Sequence, residues 1–76
     1  MNIYVEFDSL DDIGPIINRI KSVGATVYEV DIERKQSDSS LYPSAYISLR
    51  LNQRKAHARL ILAISDLKFV HTIDEI

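Results

Sequence analysis

Apolar and polar residues alternate in three stretches of the chain, which is the period of a half-buried β-strand. The stretches are residues 2–8, 25–34 and 45–52. The alternation is most regular in the third of them, where aliphatic residues stand at every second position. We therefore expect three strands at these places in the chain.

The end of the chain keeps the same alternation with one interruption. Phe69 and Val70 are followed by two polar residues before Ile73 restores an apolar position. A β-bulge adds one extra residue of this kind to one strand of an antiparallel pair. We predict a fourth strand that begins at Phe69 and contains a bulge between Val70 and Ile73.

Residues 10–23 repeat their apolar positions at spacings of three and four, which is typical of an amphipathic α-helix. Ser9 precedes them as an N-cap, and Asp12 three residues later completes a shortened capping box. Gly24 follows as the residue that ends the helix. Pro15 lacks the N–H that an inner helical position needs, so we predict one helix over 10–23 with a distorted first turn.

A second helical pattern covers residues 53–66, and Leu60 and Ile64 belong to its apolar stripe. Asn52 stands directly before this segment and is the predicted cap of the helix. Between the second and third strands, residues 34–40 are polar and have no period, which predicts a loop.

The order strand–helix–strand occurs twice, and this order determines the predicted fold. Two right-handed crossovers place both helices on one face of a four-stranded antiparallel sheet. The predicted class is α+β, a ferredoxin-like βαββαβ sandwich with the spatial strand order 4-1-3-2. The face beneath the helices is expected to hold Ile3, Val5, Phe7, Val30, Ile32, Ile47 and Leu49.

The opposite face of the sheet is expected to be partly bare. It should carry Tyr4, Glu6, Val27, Glu29, Asp31, Tyr46, Ser48 and Arg50. Tyr4 and Tyr46 fall on the two central strands, where an RNA-recognition motif stacks bases. The acidic residues beside them would repel phosphates. We therefore predict no nucleic-acid partner, and we expect Tyr4, Val27 and Tyr46 to contact a protein surface.

Composition narrows the class of protein further. The 76 residues are 46% apolar and 26% charged with a formal net charge of −2, which is ordinary for one soluble globular domain. The absence of cysteine excludes disulfides and thiolate chemistry. A chain this short gains only roughly 3–5 kcal/mol from its own core. We therefore expect contact with a second copy or with the rest of a longer parent chain.

Few residues are suited to catalysis or metal binding. His57 and His71 stand on different elements without a metal-binding spacing, and no serine has a base placed beside it. We predict no enzyme activity, no cofactor and no resident metal. The first strand is followed by a candidate ligand or cation loop that contains Asp8, Asp11 and Asp12. The spacing of these residues does not match that of an EF-hand calcium loop.

The pattern as a whole resembles an ACT-type regulatory domain. The resemblance rests on the opening strand from Ile3 to Phe7, on the helix that ends at Gly24 before a strand, and on the closing rhythm L-x-x-V-x-x-I that starts at Leu67. It implies one ACT-like domain over residues 1–76. Amino-acid-binding members carry a glycine at the turn from strand 1 into helix 1, whereas Gly14 falls later in this chain.

Within this class the sequence is most similar to the C-terminal cytoplasmic domain of MgtC/SapB (YhiD-type) membrane proteins. The similarity lies in FDSLDDI after the first strand, in the polar gap between strands 2 and 3, and in the terminal FVHTIDEI. It implies a regulatory or assembly domain of a membrane protein linked to magnesium homeostasis. Because small ferredoxin-like units leave their sheet edges and one face unprotected, we expect a non-enzymatic domain that self-associates, by default as a homodimer. The domain would lie at the cytoplasmic face of the inner membrane, with the transmembrane part outside this chain.

Two alternative functions stay open. The first is an amino-acid-sensing ACT domain of a metabolic regulator, and the second is a divalent-cation sensor. Both would use the turn between the first strand and the first helix, where Asp8, Asp11 and Asp12 lie.

Overall fold

The computed structural model of the chain describes residues 1–33 and 42–76. The predicted loop over residues 34–40 lies outside the described residues. The elements follow the predicted order: β1 (Asn2–Phe7), a 3₁₀ turn (Leu10–Asp12), α1 (Ile13–Ser22), β2 (Ala25–Glu33), β3 (Ser44–Leu51), α2 (Ala56–Ser65) and β4 (Val70–Glu75).

The four strands form one antiparallel sheet in the order β2-β3-β1-β4. This is the predicted order read from the other edge, so the ferredoxin-like α+β fold is confirmed. Both helices contribute side chains to the single core on one face of the sheet. The largest fully buried side chains are Ile3, Val5, Phe7, Ile16, Ile20, Ile47, Leu49, Leu60 and Ile64.

Ile32 lies on the predicted side of the sheet but is not buried there. Ile32 is 44% exposed, whereas Val30 packs against the core as a half-buried residue. The reason is position, because β2 is an edge strand and Ile32 stands next to its last residue, Glu33. Apolar alternation predicts the side of a sheet on which a residue lies, but it does not predict whether a helix reaches that far.

The start of the first helix is built as predicted. The Ser9 backbone N–H donates to Asp12 Oδ2 at 2.9 Å, and the Asp11 N–H donates to Ser9 Oγ at 3.3 Å. This capping box encloses the 3₁₀ turn, and the regular helix begins after it with Pro15 in its first turn, where no N–H is needed. Gly24 ends the helix with a φ of 87°, a conformation that glycine adopts without strain.

The start of α2 differs from the prediction, because Asn52 does not cap it. The Asn52 backbone N–H donates to the Gly24 carbonyl at 3.3 Å, so this residue is tied to the turn that follows α1. The regular helix begins at Ala56, after a turn in which the Ala56 N–H donates to the Gln53 carbonyl at 3.1 Å.

A bulge in β2 changes which side of the sheet its first residues face. Val27 is in register with Leu49, and Glu29 is in register with Ser48, so Tyr28 is the additional residue. Val27 therefore lies on the helical side and packs against the core. Its predicted place on the opposite face is wrong, because strict alternation fails at a bulge.

The predicted bulge in β4 is confirmed. Phe7 is in register with Val70, and Glu6 is in register with Thr72, which leaves His71 as the additional residue. The strand begins at Val70, one position after the predicted start at Phe69.

Candidate interaction surface

The sheet face that points away from the helices is called the open face below. Residues in register on neighbouring strands lie on the same side of a sheet, so the pairing identifies the members of this face. They are Asn2, Tyr4, Glu6, Thr26, Glu29, Asp31, Glu33, Ser44, Tyr46, Ser48, Arg50, Thr72 and Asp74.

One row of the open face crosses all four strands, and we call it the tyrosine row. In register it runs from Asp74 to Tyr4, then to Tyr46, then to Asp31. The two ring centroids are 5.0 Å apart and the ring planes are tilted by 48°. The structure thus brings Tyr4 and Tyr46 together as predicted, and it places a carboxylate on the strand at each side of them.

The Tyr4 hydroxyl is fixed by a neighbour on its own strand. It donates a hydrogen bond to Glu6 Oε2 at 3.0 Å. Burial raises the pKa of Tyr4 above the usual 10.0, a hydrogen bond with Ser44 opposes this rise, and the hydrogen bond and charge of Glu6 add to it. Tyr4 is therefore a neutral donor at physiological pH, with its ring orientation set by Glu6.

The open face is acidic. Among residues 1–33 and 42–76, it carries the carboxylates of Glu6, Glu29, Asp31, Glu33 and Asp74, against the single guanidinium of Arg50. A negatively charged surface attracts positively charged ligands and repels phosphate groups. A protein surface that covers this face has to supply positive charge.

Several residues on or beside this surface were missed by the sequence prediction. Asp74 and Thr72 on β4 also lie on the open face. Their side of the sheet is set by the position of the bulge at His71. Tyr28 is 62% exposed at the bulge of β2. The adjacent apolar residues Val27 and Tyr28 interrupt the alternation, and this is the signal that marks the second bulge in the sequence.

The acidic residues predicted as a ligand loop do not converge on one point. Asp8 pairs through Oδ1 with Nε2 of His71, and Asp12 is engaged in the capping box. Asp11 is exposed. Within residues 1–33 and 42–76, no group of three or more histidine and acidic side chains is arranged to hold a metal ion.

Both histidines attach β4 to the rest of the domain. The ring of His71 stacks on Tyr42 with centroids 3.8 Å apart and planes 14° apart, while its Nε2 meets Asp8. His57 Nε2, at the start of α2, lies 2.6 Å from Oε1 of Glu75 near the end of β4. These contacts give each histidine a structural role at the bulge and at the end of the strand.

Comparison with known proteins finds neither a family model nor a curated protein sequence that matches this chain. The βαββαβ fold is consistent with that of ACT-like domains. Across the part of the chain that the structure describes, no helix is both long and apolar enough to cross a membrane.

Proposed function

We propose that this chain is a non-enzymatic regulatory domain of the ACT type that acts by contact and self-associates. As in MgtC/SapB-type proteins, which its sequence resembles, it would serve a membrane protein linked to magnesium homeostasis. One observation carries the proposal: the helices cover one face of the sheet, whereas most residues of the open face and the side chains of Tyr28 and Ile32 on the edge strand β2 are exposed. A domain of this size is short of buried area, so contact surfaces of this kind favour association.

We assign self-association to the edge formed by β2. This strand is nine residues long and pairs only with β3, so one row of its backbone groups has no partner strand among the described residues. An edge of this kind can receive the corresponding strand of a second copy in an antiparallel pair. The exposed side chains of Tyr28 and Ile32 would be covered by that contact.

Charge limits the strength of this association. Glu29, Asp31 and Glu33 stand on the same side of β2. In an antiparallel pair of two β2 strands, acidic residues of one copy face acidic residues of the other, which is destabilising. Dissolved salt screens such exposed charges, so we expect association to be weak at low ionic strength and tighter at high ionic strength.

Sedimentation velocity over a range of salt concentrations tests the proposal. We expect the dimer fraction to rise with salt and to rise at low salt in Asp31→Asn, which removes one of the opposed charges. Ile32→Ser, which removes apolar contact without adding charge, should reduce the dimer, whereas Leu62→Ser, at a position of α2 that is 67% exposed, is the matched control and should leave it unchanged. A monomer at every salt concentration up to about 1 M, where the Debye length is about 3 Å, would refute self-association.

The amino-acid-sensing and cation-sensing alternatives both need free acceptors at the turn after β1. Asp8 and Asp12 already have partners within the chain. We therefore favour regulation by contact over regulation by a small ligand at this turn. Thermal unfolding with Mg²⁺ or amino acids at millimolar concentration tests that preference, because a ligand present at 100 times its Kd adds about 2.7 kcal/mol of stability. A clear rise in Tm with one of them would reverse it.

A further inference from the structure

A second copy of the chain is a poor cover for the open face. Two such faces in contact would bring ten carboxylates together with the two Arg50 side chains. Removing unpaired charges from water is costly, and like charges held close together add to that cost. The acidic charge of the face disfavours nucleic acid and anionic lipid for the same reason. Its occupant therefore has to be basic.

The aromatic centre of the open face favours arginine over lysine. Tyr46 is 41% exposed, and Tyr4 beside it is held in place by its bond to Glu6. A guanidinium group is planar, stacks on aromatic rings and binds carboxylates in a bidentate manner. An ammonium group is more strongly hydrated and has no plane with which to stack. The face thus offers two kinds of contact that arginine makes together.

The dimensions of the tyrosine row set the spacing of the arginines. Asp74 on β4 and Asp31 on β2 are separated by three interstrand spacings, which correspond to about 14 Å across the sheet. In an extended peptide, residues i and i+4 lie about 13.6 Å apart, and i+2 lies midway on the same side. An extended segment that crosses the strands along this row can therefore place two basic side chains at the two aspartates.

We propose that the open face binds an extended, arginine-bearing segment of another protein. Arginines at alternate positions of the segment pair with Asp74 and Asp31, and the arginine between them stacks on Tyr46. This inference rests on the proposed function in treating the chain as an interaction domain, and it names the partner chemistry of the open face, which shares Asp31 with the β2 edge.

Titration of the ¹⁵N-labelled chain with the peptide acetyl-Arg-Ser-Arg-Ser-Arg-amide tests the proposal. At about 0.15 M salt, where the Debye length is about 8 Å, we expect amide shift changes concentrated in β1, β3 and the tyrosine row. The corresponding lysine peptide should bind about threefold more weakly, because it loses the stacking contact. The corresponding glutamate peptide should produce no shifts.

Two pairs of variants separate a specific site from general acidity. Asp31→Asn with Asp74→Asn should weaken binding of the arginine peptide by about fivefold or more, as expected for two exposed ion pairs. Asp11→Asn with Asp66→Asn removes the same charge at exposed positions outside the open face and should change the Kd by less than about twofold. Tyr46→Leu should abolish the preference for arginine over lysine while leaving a folded domain.

Equal losses in the two aspartate pairs, or shifts spread over all surface carboxylates, would overturn the proposal. The two hypotheses for this domain also respond to salt in opposite directions, because peptide binding weakens with salt whereas β2 association strengthens. A monomer that binds the peptide at the tyrosine row refutes only self-association. A dimer without this binding refutes only the proposal for the open face.

Discussion

The two faces of the sheet are formed by alternate residues of the same strands, yet they have opposite properties. Ile47 is 1% exposed beneath the helices, whereas Tyr46, its neighbour in β3, is 41% exposed on the open face. The helical face consists of apolar side chains that pack together in the core. The open face combines tyrosines with carboxylates, and these side chains do not take part in filling the core.

This difference shows where stability and recognition reside. Apolar burial contributes free energy of folding roughly in proportion to area, so the helical face supplies most of the stability of the domain. Most residues of the open face are exposed, including all of its charged residues except the half-buried Glu6. Substitutions on the first face should change folding, and substitutions on the second should change binding.

The largest expected effect is that of Ile47→Ala on the helical face. Truncating a fully buried isoleucine costs about 2–5 kcal/mol, which is close to the roughly 3–5 kcal/mol that the core of so small a domain supplies. We expect a largely unfolded variant by far-UV circular dichroism. Ile47→Val should stay folded and lose about 0.5–1.5 kcal/mol in urea unfolding.

Tyr46→Ala, one residue away, is the control for this prediction. It removes a partly exposed ring and one aromatic contact, so we expect a loss of about 1 kcal/mol or less. A loss as large as that of Ile47→Ala would contradict the division of roles between the two faces.

A smaller effect is expected at the bulge of β4, where the additional residue His71 determines which side chains of the strand lie on each face. His71→Ala should lose about 1–2 kcal/mol, since it removes the stack on Tyr42 and the pair with Asp8. Urea unfolding measures the loss, and amide exchange in β4 should accelerate. His57→Ala removes only an exposed pair with Glu75 and should cost less. Equal costs would mean that the stack on Tyr42 contributes nothing.

Tyr4→Phe should have a smaller effect still, about 0.5–1 kcal/mol below pH 9, from the lost hydrogen bond to Glu6. Because the pKa of Tyr4 is raised in the folded state, the native protein holds this proton more tightly than the unfolded chain. The resulting stability is fully present below pH 10.0 and is lost as pH rises through the folded-state pKa.

Urea unfolding between pH 9 and pH 11.5 measures this dependence. The alkaline loss of stability should be shallower in Tyr4→Phe than in the parent chain. An unchanged slope in Tyr4→Phe would show that Tyr4 has the same pKa in the folded and unfolded states.

The smallest expected effect comes from the charges of the open face. Asp31→Asn should raise the free energy of unfolding by a few tenths of a kcal/mol, about the size of an exposed charge interaction, because Asp31 stands between Glu29 and Glu33 on β2. The gain should disappear at high salt. Asp11→Asn should have the opposite sign, since Asp11 lies in the first turn after a helix cap. A loss of stability in Asp31→Asn would contradict the repulsion among the acidic residues of β2.

Local signals predicted much of the fold. The capping residues Ser9 and Asp12, the helix end at Gly24 and the slip in β4 were all predicted, because each depends on neighbours within a few residues. The same patterns misplaced Val27 and assigned a cap to Asn52. Those positions depend on a bulge opposite β3 and on a hydrogen bond to the turn after α1.

The candidate surface was predicted only in part. Tyr4 and Tyr46 were assigned to one face, since each lies on a regular strand. The aspartates that flank them follow from register across β2 and β4, which involves residues far apart in the chain. The histidine pairs with Asp8 and Glu75 were not foreseen for the same reason.

The order of apolar and polar residues by itself determined the elements, their sequence and most of the residues that form the core, because burial follows the period of each element. Only the tertiary structure decided which residues face each other across the strands on either side of the bulges, and hence which charges stand beside the two tyrosines. The physical reason is that an extra residue in a strand shifts every later side chain relative to the neighbouring strand. That shift depends on the partner strand as well as on the strand that contains it.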